Sequence, residues 1–251
     1  MAEPVDYVFV HGGGQGGWVW DETIEALARQ TDGAFGRALA VDAPGCGAKR
    51  QAATDGLAMA DVARELNADI KAAGLQNVVL VGHSQAGQAM PMMVKEDLKL
   101  FRRLVYVTCS APLPGQSVQE MMGNRLRGSN ESEIGWPVDP ATTDARSRLA
   151  LMFCNDMDPA QLNTFMSKLG PDQWPMETYS ETDWSYDHLD AIPATYVICM
   201  KDAALPLAWQ KKFAERLKVE RRAYIDAGHQ VMNSRPHALA ELLRAEATEK
   251  T

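Results

Sequence analysis

Several things are scarce in this 251-residue chain, and each scarcity excludes a class of protein. Its four cysteines, Cys46, Cys109, Cys154 and Cys199, lie far apart and form no C-x-x-C pair. That spacing suggests neither a zinc site nor a redox pair, and it implies no disulfide framework. No apolar stretch approaches the roughly 18 residues that a membrane span needs. The opening Met1-Ala2-Glu3-Pro4-Val5 carries no charged and apolar leader pattern, so a cytoplasmic protein is expected. Basic runs are absent, and 33 acidic against 25 basic residues give a formal charge of -8. Such a balance argues against nucleic acid or an anionic membrane as partner. Repeats and low-complexity tracts are missing as well. What remains is an ordinary globular composition, 46% hydrophobic and 23% charged.

Short β-rich runs alternate with longer amphipathic segments, the pattern of βαβ units and a mainly parallel sheet. Strands are expected at Tyr7–His11, Arg37–Asp42, Asn77–Gly82, Leu104–Thr108, Ala194–Met200 and Arg222–Asp226. Helices are expected near Asp21–Gln30, Met59–Ala73, Ala86–Glu96, Leu207–Arg216 and Pro236–Ala247. The nearly continuous apolar strands predict helices on both faces of the sheet. The rhythm breaks after Pro112. Some 75 residues follow without a convincing strand, holding three of the six tryptophans and six of the thirteen methionines. A loop of that length must carry structure of its own. The expectation is an α/β core over 1–111 and 187–251, with a helical cap over 112–186 inserted after the fourth strand.

The most informative segment is Val78-Val79-Leu80-Val81 followed by Gly82-His83-Ser84-Gln85-Ala86-Gly87. An apolar strand that ends at glycine, turns on serine and leaves into a helix pattern reads as a nucleophile elbow. Its common form is G-x-S-x-G, and Ala86 replaces the last glycine with a side chain still small enough to fit. A serine in this place also caps helices, so the assignment needs partners. A weak hydroxyl nucleophile requires a base, and the base requires an orienting group. Of the five histidines, His229 in Ile225-Asp226-Ala227-Gly228-His229 follows the last expected strand and emerges at the same sheet edge as Ser84. His237 falls in the final helix, and His83 should point away from Ser84. The favoured acid is Asp202, in Met200-Lys201-Asp202-Ala203-Ala204-Leu205-Pro206 after the penultimate strand, with Asp226 as its rival. The chain order Ser84, Asp202, His229 is that of the elbow-bearing hydrolases rather than of unrelated serine proteases. Backbone donors for a tetrahedral oxyanion are expected at Gln85 and at Gly13 in the glycine-rich loop after the first strand.

That loop permits a rival reading. Gly12, Gly14 and Gly17 satisfy G-x-G-x-x-G, and Asp42 ends the next strand, as in a dinucleotide-binding fold. Trp18 opposes it with a bulky group where the helix N-terminus would meet pyrophosphate. No tyrosine is followed by lysine four residues on, as a short-chain dehydrogenase would require.

Taken together, Val8-Phe9-Val10-His11-Gly12, Gly17-Trp18, Trp20, Asp42-Ala43-Pro44-Gly45-Cys46-Gly47, the elbow, Tyr196 to Pro206 and Gly228-His229 resemble a branch of the α/β-hydrolases. That branch groups plant methyl-ester esterases of the salicylate-ester type with hydroxynitrile lyases. The resemblance implies the triad Ser84, Asp202 and His229, oxyanion donors at Gly13 and Gln85, a helical cap and often a homodimer, and hydrolysis by such a triad requires no metal or organic cofactor. The lyases carry threonine and lysine where this chain has Gly12 and Gln230. Both differences point from cyanohydrin cleavage towards hydrolysis of a small, largely apolar ester or lactone. A cofactor-free lyase or oxygenase on the same fold is the alternative, and a non-catalytic ligand receptor a third. Candidate pocket residues are Gly12, Trp136, Phe153, Trp174, Leu205 and Gln230.

Overall fold

A computed structural model of the chain describes residues 4–30 and 35–248. Residues 1–3, where the leaderless start was read, lie outside them. The chain runs β1 (Val5–Val10), α1 (Asp21–Gln30), β2 (Phe35–Val41), α2 (Met59–Ala72), β3 (Val78–His83), α3 (Ala86–Glu96) and β4 (Phe101–Val107). After β4 come α4 (Val118–Met122), α5 (Ala145–Phe153) and α6 (Pro159–Lys168), then β5 (Ala194–Cys199), α7 (Leu207–Arg216), β6 (Arg221–Ile225), α8 (Val231–Ser234) and α9 (Pro236–Thr248). The six strands form one sheet in the order β2-β1-β3-β4-β5-β6. Every neighbouring pair is parallel.

The two-residue period of a strand decides which helices cover which face. Val8, Leu80, Leu104, Tyr196 and Ile198 point to one side and pack against Leu66 and Ile70 of α2, Met90 and Met93 of α3, and Phe213 of α7. Their neighbours Tyr7, Phe9, Val79, Val105 and Val197 point to the other and pack against Leu27 of α1, Met232 of α8 and Leu239 and Leu243 of α9. β3 and β5 are buried along their whole length, whereas β2 and β6 are partly exposed edge strands. At about 25 cal/mol per Å² of apolar area removed from water, these two layers supply the main driving force for folding.

The helices α1, α3 and α7 span the residues their patterns predict, and α2 and α9 differ by one residue at their ends. Strand ends move further. β4 begins at Phe101 instead of Leu104, because the charge on Arg103 is neutralised within the structure. Its guanidinium lies 3.0 Å from the buried Glu246 carboxylate. The long segment between β4 and β5 holds its regular structure as α4, α5, α6 and short 3-10 turns, joined by extended loops. Among the described residues its β pairing is a single isolated bridge, Leu126 with Trp136.

A parallel sheet delivers the ends of all its strands to one edge. There the chain leaves β1 for the glycine loop, β3 for Ser84, β4 for Thr108, β5 for Asp202 and β6 for His229. These five strands are consecutive neighbours.

Candidate active site

Ser84 sits at φ 53°, in the left-handed region that a residue with a Cβ rarely adopts. The turn that forces it there is held from β4. Ser84 N–H donates to Val107 O at 3.2 Å, and Ser84 O accepts from Ser110 N–H at 3.0 Å. Small residues make the turn sterically feasible. A Cβ on Gly82 would lie 2.2 Å from Met90 Sδ and 2.9 Å from Ala86 Cβ, and one on Gly87 would lie 2.2 Å from Ser110 O. Ala86 is therefore tolerated in the elbow because Gly82 opposite it has no side chain.

The hydroxyl so presented is partly exposed, and its partners are not. His229 Nε2 lies 3.1 Å from Ser84 Oγ, and His229 Nδ1 lies 2.7 Å from Asp202 Oδ2. The imidazole and the carboxylate are 1% and 0% exposed. Asp202 accepts on both oxygens. Oδ1 takes the backbone N–H groups of Ala204 and Leu205, each at 2.7 Å, and Oδ2 takes the Thr108 hydroxyl as well as the imidazole. Asp226 plays no part in this array. It is exposed and pairs with Lys201 at 2.7 Å.

Two other buried histidines shape the site. His11 accepts from Ala43 N–H on Nε2 at 3.1 Å, so its proton is on Nδ1, which donates to Gly12 O at 2.7 Å. Burial lowers its pKa from the ordinary histidine value. Trp174 Nε1 donates to the same Gly12 carbonyl at 3.2 Å. With two donors fixing that carbonyl and no cis peptide among the described residues, the planar trans bond turns the Gly13 N–H the opposite way. Gly13 in turn abuts Gln85, since a Cβ on it would lie 2.4 Å from Gln85 Oε1.

His83 packs its ring 4.5 Å from that of His229 and donates from Nε2 to the His229 carbonyl at 3.0 Å. Burial and the neighbouring His229 hold its pKa well below the ordinary value, so it stays neutral beside that ring. The sequence reading gave it no role. Tyr179, in the segment after β4, was missed as well. Its hydroxyl donates to Gln85 Oε1 at 3.1 Å and so ties that segment to the elbow.

The candidate pocket residues separate in space. Phe153 stacks on His229 with ring centroids 5.3 Å apart and an interplanar angle of 20°. Trp136 lines a groove of about 940 Å³ with Leu113, Val118, Met122 and Tyr179. Trp174 is 1% exposed and braces the Gly12 carbonyl, which takes it out of a lining role. Leu205 is buried beside Asp202, and Gln230 is buried with no partner among the described residues for either amide atom. Gly12 presses on the elbow, where a Cβ would lie 2.8 Å from His83 Nδ1 and 3.0 Å from Ser84 Cβ. Among the described residues, no three His, Cys, Asp or Glu side chains gather in a way that could hold a metal ion. No described helix is long and apolar enough to cross a membrane. Asp42, which a ribose would need, is spent on its own loops, accepting from Gly17 N–H at 2.6 Å and Ala48 N–H at 3.0 Å.

Known proteins agree with this architecture. The chain is 28% identical over 121 residues to a carbendazim-hydrolyzing esterase of Nocardioides sp. (strain SG-4G), a match that covers 48% of each chain. It is 22% identical over 256 residues to polyneuridine aldehyde esterase of Rauvolfia serpentina, covering 94% of this chain and 93% of the other. An extracellular alpha/beta-hydrolase from a Paenibacillus species superposes with a TM-score of 0.77 at 21% identity, over 98% of this chain and all of that one. The model of the alpha/beta hydrolase family matches residues 7–242, and the chain belongs to that family.

Proposed function

We propose that the protein is a carboxylic ester hydrolase working through an acyl-enzyme on Ser84. The observation that carries this reading is the hydrogen-bonded chain Ser84–His229–Asp202, raised on a strained turn and sealed from solvent at its base–acid end. Ser84 Oγ attacks the ester carbonyl carbon while His229 Nε2 takes its proton. Asp202 holds the imidazole through Nδ1 and stabilises the imidazolium that forms. The tetrahedral oxyanion is met by the N–H groups of Gly13 and Gln85, a pair of a kind worth about 3 kcal/mol per donor. The carbon–oxygen bond to the leaving group then breaks, and the alcohol departs with the proton from His229. Water gives a proton to the same Nε2 and attacks the acyl carbon. Collapse returns the proton to Ser84 Oγ and frees the acid.

Residues 112–186 act in this reading as the cap that sets specificity. The groove they line joins apolar Leu113, Val118, Met122 and Trp136 to two carboxylates, Glu120 and Glu133, with no Lys, Arg or His in its lining. Neutral or cationic esters with an apolar body suit it, and anionic ones do not. Names among the relatives, the Nocardioides and Rauvolfia esterases included, support ester hydrolysis in general terms. A lyase reading is opposed by Gly12, because a threonine there would drive its Cβ into His83 and Ser84.

The test is turnover of p-nitrophenyl acetate together with mass spectrometry of a trapped acyl adduct. Wild-type protein should turn over and carry the adduct on the peptide holding Ser84. Retention of full activity by Ser84→Ala would sink the proposal.

A further inference from the structure

We infer that Thr108 is a positioning residue, holding the Asp202 oxygen that faces His229. The inference rests on the hydrolase reading above and concerns how its acid is kept in place.

Thr108 follows directly on β4, is fully buried, and has φ 39°. Glycine adopts such a backbone freely, and Asn or Asp tolerate it, whereas a β-branched residue is a genuine outlier there. Backbone preference therefore opposes threonine, and whatever keeps it must reside in the side chain. Its methyl group could equally be supplied by valine. Its hydroxyl is what distinguishes it, and that hydroxyl donates to Asp202 Oδ2, the same oxygen that meets His229 Nδ1 at 2.7 Å.

The geometry of the acid shows what this donor adds. Oδ1 is fixed by the backbone N–H groups of Ala204 and Leu205, both on the loop that carries Asp202 itself. Those bonds hold one end of the carboxylate within its own loop. Oδ2 has two donors, the imidazole, which gains and loses charge in each half-reaction, and Thr108. Without the hydroxyl, Oδ2 depends on the partner it is meant to orient. Thr108 is itself fixed from behind, since its N–H donates to Val197 O of β5 at 3.0 Å. The rigid β4–β5 pairing thus reaches the carboxylate through one side chain, the kind of support a reacting geometry requires.

Three variants separate this role from a packing role. Thr108→Val keeps the shape and the backbone strain but removes the donor. Thr108→Ser keeps the donor, and Thr108→Gly removes both donor and strain. On p-nitrophenyl acetate, Val and Gly should lower kcat by about 10- to 100-fold, the worth of a hydrogen bond to a charged group, with KM little changed. Ser should restore kcat to within about threefold of wild type, since the hydroxyl is kept. The downfield proton NMR resonance of His229 Nδ1–H should move in Val and Gly and return in Ser. A merely structural threonine predicts the reverse order, with Gly the most stable and fully active. The inference is overturned if Val retains full kcat and an unmoved resonance, or if Ser is as impaired as Val. The resonance needs no turnover, so it still decides on Thr108 should wild-type protein hydrolyse no ester and the hydrolase reading fail.

Discussion

Lowering the pH from 7.5 to 5.5 should destabilise this protein through two histidines sealed in its core. His11 and His83 are both fully buried, and burial holds both below the ordinary histidine pKa, His83 well below it. Local bonding agrees. Protonating His11 on Nε2 would cancel the bond it accepts from Ala43 N–H. Protonating His83 on Nδ1 would place a cation against the His229 ring, on an atom that has no partner among the described residues. In the unfolded chain each takes up its proton near pH 6.5. Their contribution is therefore present in full above that value and is lost as pH falls below it, because the unfolded state then binds protons that the native state refuses. Each histidine can cost at most about 1.4 kcal/mol per pH unit, so the pair sets a limiting slope of about 2.7 kcal/mol per unit. Against a total stability of roughly 5–15 kcal/mol, one pH unit on this slope is a large fraction.

Urea unfolding followed by tryptophan fluorescence, at half-unit steps between pH 5.5 and 7.5, measures the slope. The lower limit stays above the ordinary carboxylate range near pH 4, so few acidic groups contribute. His83→Gln keeps an N–H donor for the His229 carbonyl and cannot titrate, and its slope should be shallower by up to about 1.4 kcal/mol per unit. A wild-type stability that stays level across the window, or a His83→Gln protein with the wild-type slope, would refute the reasoning.

Asp202→Asn keeps the shape of the acid but favours the wrong imidazole tautomer, and kcat on an acetate ester should drop by on the order of 10³–10⁴-fold with folding intact by circular dichroism. Glu246→Ala takes from Arg103, whose side chain is 4% exposed, its buried carboxylate, leaving it the exposed Glu220 at 3.6 Å, and removes the acceptor of the Thr195 hydroxyl at 2.7 Å. It should cost about 3 kcal/mol and lower the calorimetric Tm by roughly 6–12 °C. Trp174→Phe deletes one of two donors to the Gly12 carbonyl while His11 keeps the other. Kinetics should show kcat reduced several-fold, about what a single neutral hydrogen bond is worth, with little change in the slope of the pH profile.

Much of this fold could be read from local pattern. β3 and β5 announce themselves as unbroken apolar runs, and α1, α3 and α7 as amphipathic segments between them. Where the reading fell short, the cause lies far along the chain. Arg103 looks like a residue before a strand until Glu246, 143 positions away, neutralises it. β2 starts at Phe35 rather than Arg37 because Asp6 on β1 accepts from the Arg37 backbone N–H at 2.6 Å and holds the extra residues in line. The candidate site divides in the same way. Ser84, Asp202 and His229 follow strands and stand in a telling order, so the sequence names them. Tyr179 reaches Gln85 across 94 positions, and no local signal marks that contact. Trp174 was expected in a pocket because it is large and apolar, whereas its indole N–H decides its place behind Gly12.

The left-handed backbone at Ser84 and that at Thr108 have one construction between them. Each residue directly follows its strand, β3 or β4, at the same edge of the sheet. Each sends its N–H to a carbonyl near the end of the next strand, Ser84 to Val107 and Thr108 to Val197. Such conformations cost on the order of 1–3 kcal/mol apiece and persist only where the surroundings over-determine them. Here the surroundings are the central pairings β3–β4 and β4–β5, the best buried part of the sheet. One strained residue presents the hydroxyl at one end of the His229–Asp202 pair, and the other grips the carboxylate at the opposite end. Because both are anchored on β4, strand spacing in the sheet joins the Asp202 loop, which holds Oδ1, in setting the distance between Ser84 and the Asp202 carboxylate. The segment after Thr108 adds to that hold, since Asn155 donates to Lys201 O at 2.8 Å and Arg127 to Ala203 O at 2.8 Å, on either side of Asp202.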